Sequence, residues 1–143
     1  MAVLKNRAKM STSTTGTGTI TLGSAESGYQ TFGDAGVANA DVVRYVIEDG
    51  TAWEIGTGTY TATGTTLTRT VSESSNADAA IVLTGSAVVF VGAAAEDIYT
   101  DADVDTHLNK STATTGEVLS WSGTDYDWIA AGGGGGGVSL QTT

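Results

Sequence analysis

Cysteine and proline are both absent from the 143 residues. Without cysteine, neither disulfides nor thiolate metal sites can hold the fold, and the usual framework of a small secreted scaffold is missing. Without proline, and with 20 glycines beside abundant Thr and Val, the composition favours strands joined by tight turns over long helices. Aromatic side chains are scarce, at 7%. The longest apolar stretch, 87–95, is about half of the roughly 20 residues that a membrane-spanning helix needs. No membrane insertion is expected. No secretory signal is visible either, because the basic residues near the N-terminus are followed by a Thr/Gly/Ser run and not by an apolar core.

Positive charge is also in short supply, with 6 Lys and Arg against 16 Asp and Glu and a formal net charge of -10. Lys5, Arg7 and Lys9 stand within the first ten residues, so everything after them is strongly acidic and repels nucleic acid, which is therefore excluded as a partner. Segment 1–10 reads as a basic N-terminal segment. Its Lys5, Arg7 and Lys9 are the docking candidates toward an acidic partner, against the alternative of an ordinary solvated terminus.

From residue 41 onward the chain alternates with the period of a half-buried strand: Val43, Tyr45 and Ile47 against Arg44, Val46 and Glu48. Asp49-Gly50 supplies a two-residue hairpin turn, and the return strand sets Trp53 and Ile55 on one face and Glu54 on the other. A second hairpin is expected over 59–71 around Gly64, then a polar loop at 72–80 and short apolar strands at 81–83 and 88–91. With a strand near 17–22 this gives about seven strands, the pattern of an antiparallel β-sandwich or small barrel over 11–93. The expected core is Val43, Tyr45, Ile47, Trp53, Ile55, Leu67, Val71, Ile81, Leu83, Val88 and Phe90.

Residues 94–131 change character and read as a connector. A short helix is expected within 94–110, with Asp101 as cap and Val104 and Leu108 on one face. A β-hairpin follows, pairing 117–121 with 126–130, and it concentrates Trp121, Tyr126 and Trp128 within eight residues. A lone hairpin is marginal in water and needs a partner. Gly132 to Gly137 then opens a flexible Gly-rich tail, 132–143, as expected of a spacer leading into a longer chain or onto a neighbouring subunit.

Several strings are longer than a motif: Gly28-Tyr-Gln-Thr-Phe32, Tyr45-Val-Ile-Glu-Asp-Gly-Thr-Ala-Trp-Glu-Ile-Gly-Thr-Gly-Thr-Tyr-Thr-Ala62, Leu67-Thr-Arg-Thr70 and Val88-Val-Phe-Val91. Residues 5–92 carry these strings. They resemble a module of virion structural proteins in tailed phages, especially marine phages and cyanophages, found at the front of fibre-like appendages. Asp103-Val-Asp-Thr-His-Leu-Asn109, Gly116-Glu-Val-Leu-Ser-Trp121 and Asp125-Tyr-Asp-Trp-Ile129 resemble a connector that recurs in such fibre proteins before Gly-rich stretches. The resemblance implies a non-enzymatic virion component, assembled in the host cytoplasm, whose partners are other virion proteins of the tail or neck and copies of itself as a homotrimer. It brings no catalytic residues with it. Val118, Trp121, Tyr126, Trp128 and Ile129 are the oligomer-contact candidates.

Chemistry has little foothold. His107 has no second His and no Cys with which to build a metal site. Asp101, Asp103 and Asp105 copy the start of a calcium loop, yet Thr106 stands where glycine is needed and Thr112 where a bidentate Glu belongs. The pairs Gly16/Gly18 and Gly56/Gly58 lack the third glycine of a dinucleotide fingerprint. Glu48 and Glu54 are the one carboxylate pair that a glycanase could use, and a solvated strand face explains them more simply. No catalytic, cofactor-binding or metal site is expected, and no cofactor. The competing reading is a carbohydrate-binding module contacting the host surface through Tyr29, Phe32, Tyr45, Trp53 or Tyr60.

Overall fold

The computed structural model describes residues 2–98, 101–121, 123–124 and 126–131, with Asp101 described by its backbone alone. The chain is mainly β, 43% strand and 10% helix, and divides into two compact units, one reaching to Asp97 and one starting at Ile98.

The first unit holds nine strands: β1 (Lys9–Thr12), β2 (Thr15–Gly16), β3 (Ile20–Thr21), β4 (Val42–Asp49), β5 (Ala52–Thr61), β6 (Thr66–Leu67), β7 (Thr70–Ser74), β8 (Leu83–Thr84) and β9 (Ala87–Val91). Seven form one antiparallel sheet in the order β1-β9-β4-β5-β6-β3, with β7 also on β5, while β2 and β8 pair separately. The sheet curls into a half-barrel, within the sandwich-or-barrel class that the strand spacing implies. Its bend has a local cause. The first half of β5 pairs with β7 and the second with β6, and a register shift at Ile55/Gly56 kinks the strand. Gly56 and Gly58 allow the close approach this needs, since a Cβ on Gly56 would lie 2.3 Å from the Thr70 carbonyl oxygen and 2.6 Å from the Tyr45 hydroxyl.

The β4–β5 hairpin corrects the expected core. The turn residues are Gly50 and Thr51, with Gly50 at φ 63, and the strands pair Tyr45 with Gly56, Ile47 with Glu54 and Glu48 with Trp53. Residues directly opposite one another share a face. Tyr45 and Ile47 point inward, so Glu54 is fully buried while Trp53 is 36% exposed and Ile55 half-buried on the outer face. The same reversal holds on β9, where Ala87, Val89 and Val91 fill the core and Val88 and Phe90 face outward, half-buried. Val71 is also only half-buried. Of the expected core, Val43, Tyr45, Ile47, Leu67, Ile81 and Leu83 are inside, joined by Met10, Ile20, Leu22, Phe32, Val37 and Tyr60.

The N-terminal segment is not a separate tip. Ala8 and Met10 are buried in the core, Val3 bridges Val43, and β1 pairs with β9 from Lys9 onward. A strand cannot alternate Met10 and Thr12 into a core and remain a free arm.

In the second unit, α1 (Asp101–His107) and β10 (Glu117–Trp121) with β11 (Tyr126–Ala130) match the expected helix and hairpin. The helix spans seven residues inside the 94–110 window, and the chain turns away after it at Asn109, φ 51. The Asp101 side-chain cap, Ser122 and Asp125 of the hairpin turn, and the Gly run lie outside the described residues.

Candidate functional site

The most concentrated chemistry in the first unit is a buried polar hub inside the half-barrel. The Glu54 carboxylate accepts hydrogen bonds from Arg69 Nε at 2.9 Å, Arg69 Nη2, the Tyr45 hydroxyl at 2.7 Å and the Ile81 N–H at 2.9 Å. Arg69 Nη2 also donates to the Ile81 carbonyl at 2.8 Å. Burial alone would raise the Glu54 pKa, but the bonds from Arg69, Tyr45 and Ile81 outweigh it and hold the carboxyl below its usual range. Burial, reinforced by the bond to Glu54, pushes the Tyr45 phenol upward. This carboxylate, with all its neighbours satisfied and no solvent contact, is a tie between strands and cannot reach a substrate. Glu48 lies on the opposite face, so the two do not form the carboxylate pair considered above.

A second ion cluster fixes the end of the unit. Arg44, buried though it points to the outer face, donates to Asp97 from Nε at 2.9 Å and Nη2 at 2.8 Å, and from Nη1 to Glu96 at 3.0 Å. Asp97 also accepts the Ala94 N–H at 2.9 Å. The Arg44 bonds, then that N–H, hold the Asp97 carboxyl below its ordinary range. Two predictions follow from these groups. A chain ending at Ala93 loses the carboxylates that meet Arg44 and opens its guanidinium to solvent, so it should be less stable than one ending at Asp97 by about 1.5–3 kcal/mol, the worth of hydrogen bonds to charged groups; equal urea midpoints would show that the cluster does not brace the unit. Both depressed carboxyls contribute stability that is present above their unfolded pKa and lost as pH falls through the lower folded values. The urea midpoint should therefore hold near neutrality and drop below about pH 4, and a midpoint unchanged at pH 3 would contradict these pairs.

The docking candidates are placed on the body of the unit. Arg7 stacks on Tyr29 at 4.2 Å and donates to the Gly28 carbonyl. Lys9 lies 5.7 Å from the Tyr29 ring, 5.0 Å from the Phe90 ring and 3.7 Å from the Glu48 carboxylate. Lys5 comes close to Gly36. Of the aromatics suited to stacking on sugar, Tyr29 and Trp53 are exposed at 40% and 36%. Phe32, Tyr45 and Tyr60 belong to the core, and Phe32 packs on Tyr60 with ring centroids 6.0 Å apart.

The hairpin of the second unit carries the oligomer-contact candidates. Cross-strand pairing sets Leu119 with Trp128 and Trp121 with Tyr126 on one face, and Val118 with Ile129 on the other. Trp121 and Tyr126 meet edge to face at 5.1 Å. Trp121, Val118 and Ile129 are 58%, 48% and 48% exposed. Trp128 differs: it is half-buried, and its indole N–H donates to the Leu108 carbonyl at 2.7 Å, which ties the hairpin to the end of α1. Apolar side chains are thus presented on both faces of a two-stranded sheet.

His107 is exposed at the end of α1, and among the described residues no three metal-binding side chains converge. Gly16 ends β2 and Gly56 and Gly58 lie inside β5, so neither pair opens a helix. No protein-family model, curated protein or solved structure matches this chain.

Proposed function

We propose that this chain is a non-enzymatic structural component of a bacteriophage virion, the N-terminal part of a tail fibre or related appendage. Its first unit docks on the particle and its second joins three copies. The observation that carries this reading is the hairpin with Val118, Trp121 and Ile129 exposed across both faces. Two strands cannot bury that surface themselves, and aromatic side chains concentrate where chains meet. The Gly run begins directly after it, so parallel association of identical chains lets all of them continue in one direction. The resemblance to phage appendage modules supplies the setting and the threefold symmetry. Mass spectrometry of dissociated tail and neck fractions from purified particles should find the chain there, and its absence from the particles would end the proposal.

Tyr29 and Trp53, exposed on the first unit, favour a second reading as a carbohydrate-binding module at the host surface. Binding of the isolated chain to host polysaccharide, lost on Trp53→Ala, would support it over docking.

A further inference from the structure

The outer face of the first unit's sheet has the composition of a buried surface. In an antiparallel sheet with one face in water, strands read apolar and polar in alternation, whereas strands covered on both sides read as continuous apolar runs. β9 is Ala-Val-Val-Phe-Val, with Val88 and Phe90 pointing away from the core. Phe90, Val46 and Ile55 are direct cross-strand neighbours on β9, β4 and β5, forming one row across the outer face. In the next row Val88 and Trp53 flank Glu48. Lys9 borders the first row opposite Phe90, and Glu73 closes its far end opposite Ile55. Five apolar side chains thus lie together on this face, broken only by Glu48, which Lys9 meets at 3.7 Å, and apolar clusters mixed with charge are the anatomy of a protein interface.

Charge points to the occupant. Arg44 and Arg69, the other cations of this unit, are consumed in buried ion pairs. Among the described residues its remaining cations are Lys5, Arg7 and Lys9, the last shared with Glu48 at 3.7 Å, and all three stand on the N-terminal segment that edges this sheet through the Val3–Val43 bridge and the β1–β9 pairing. Arg7, Tyr29, Lys9 and Phe90 follow one another in contact, so the basic edge and the apolar rows are continuous. The same face of a second copy would bring cations to cations, so a symmetric self-contact does not supply the carboxylates that this edge calls for.

We infer that this outer face is the docking surface of the first unit, and that it takes a different protein with an apolar patch bordered by carboxylates opposite Lys5, Arg7 and Lys9. The inference rests on the docking role proposed above and specifies its surface and partner.

Zero-length carbodiimide coupling of purified particles tests it on the unaltered chain. Lys5 or Lys9 should become joined to an Asp or Glu of another polypeptide, with the 3.7 Å Lys9–Glu48 pair as internal control. Because the chain has no cysteine, Val88→Cys and Ile55→Cys give unique thiol labels, and Thr61→Cys, exposed at the end of β5, serves as reference. Maleimide should label all three in the free chain, and particles should show loss of labelling at 88 and 55 but not at 61. Absence of the chain from particles would overturn the virion reading and this inference together. Presence with undiminished labelling at 88 and 55, or coupling only to copies of the same chain, would overturn the docking surface alone. Labelling blocked in the free chain by host polysaccharide would assign the face to sugar and equally overturn it.

Discussion

Glu54→Gln should destabilise the first unit by about 3–5 kcal/mol, the cost of leaving a buried cation without its partner. Arg69 would keep its charge with almost no solvent, its side chain being 2% exposed. Gln offers a single acceptor where the carboxylate now receives four hydrogen bonds. Against a total stability of about 5–15 kcal/mol for a domain, the loss is large enough to populate the unfolded state. Combining Glu54→Leu with Arg69→Met should be milder than Glu54→Gln alone, because apolar replacements of a buried pair are often neutral. Recovery should stay incomplete, since the Tyr45 hydroxyl and the Ile81 N–H lose their acceptor. Urea denaturation followed by circular dichroism reads all of these, and a Glu54→Gln midpoint equal to that of the parent would show that the hub does not hold the half-barrel together.

Gly56→Val should be at least as damaging. The added Cβ would meet the Thr70 carbonyl oxygen at 2.3 Å and Tyr45 at 2.6 Å; the first is backbone of a paired strand and the second is pinned by Glu54, so neither can yield cheaply. Overpacking in a core costs about 1–3 kcal/mol even where side chains can shift, and here the β5–β7 pairing itself must open. The expected result is a melting temperature lower by at least about 10 °C, at roughly 4–8 °C per kcal/mol for a domain of this size. Gly18→Ala, where nothing lies within 4 Å of the new Cβ, should be close to neutral. Similar melting temperatures for the two variants would contradict the register drawn for β5.

Local patterns made some elements legible and left others hidden. Both long hairpins are visible from sequence, and β10 and β11 fall on the residues expected. The inward face of β5 was the part that misled. A two-residue turn pairs odd-numbered residues with even ones, so Tyr45 and Ile47 in the core require Gly56 and Glu54 beside them, not Trp53 and Ile55. Hydrophobicity argues the reverse, because nothing local says that Glu54 will find Arg69 fifteen residues later. On β9 both faces are apolar, so periodicity has nothing to select. The strands that seat Met10 and Ile20 are four and two residues long and pair with Val89 and Leu67, far away in the chain, a spacing that no local window reports. For the surfaces, the exposed hairpin was foreseeable from its aromatic density. The outer sheet face was not, since its members were expected inside.

Sedimentation of the full chain beside a chain ending at Asp97 tests the proposed assembly most directly. Trp121→Ala with Trp128→Ala in the full chain isolates the hairpin's part in it. The full chain should sediment as a trimer, the shortened chain as a folded monomer, and the double variant should shift toward monomer while the first unit keeps its circular dichroism. A monomeric full chain, or a shortened chain that is still trimeric, would contradict assembly through the hairpin.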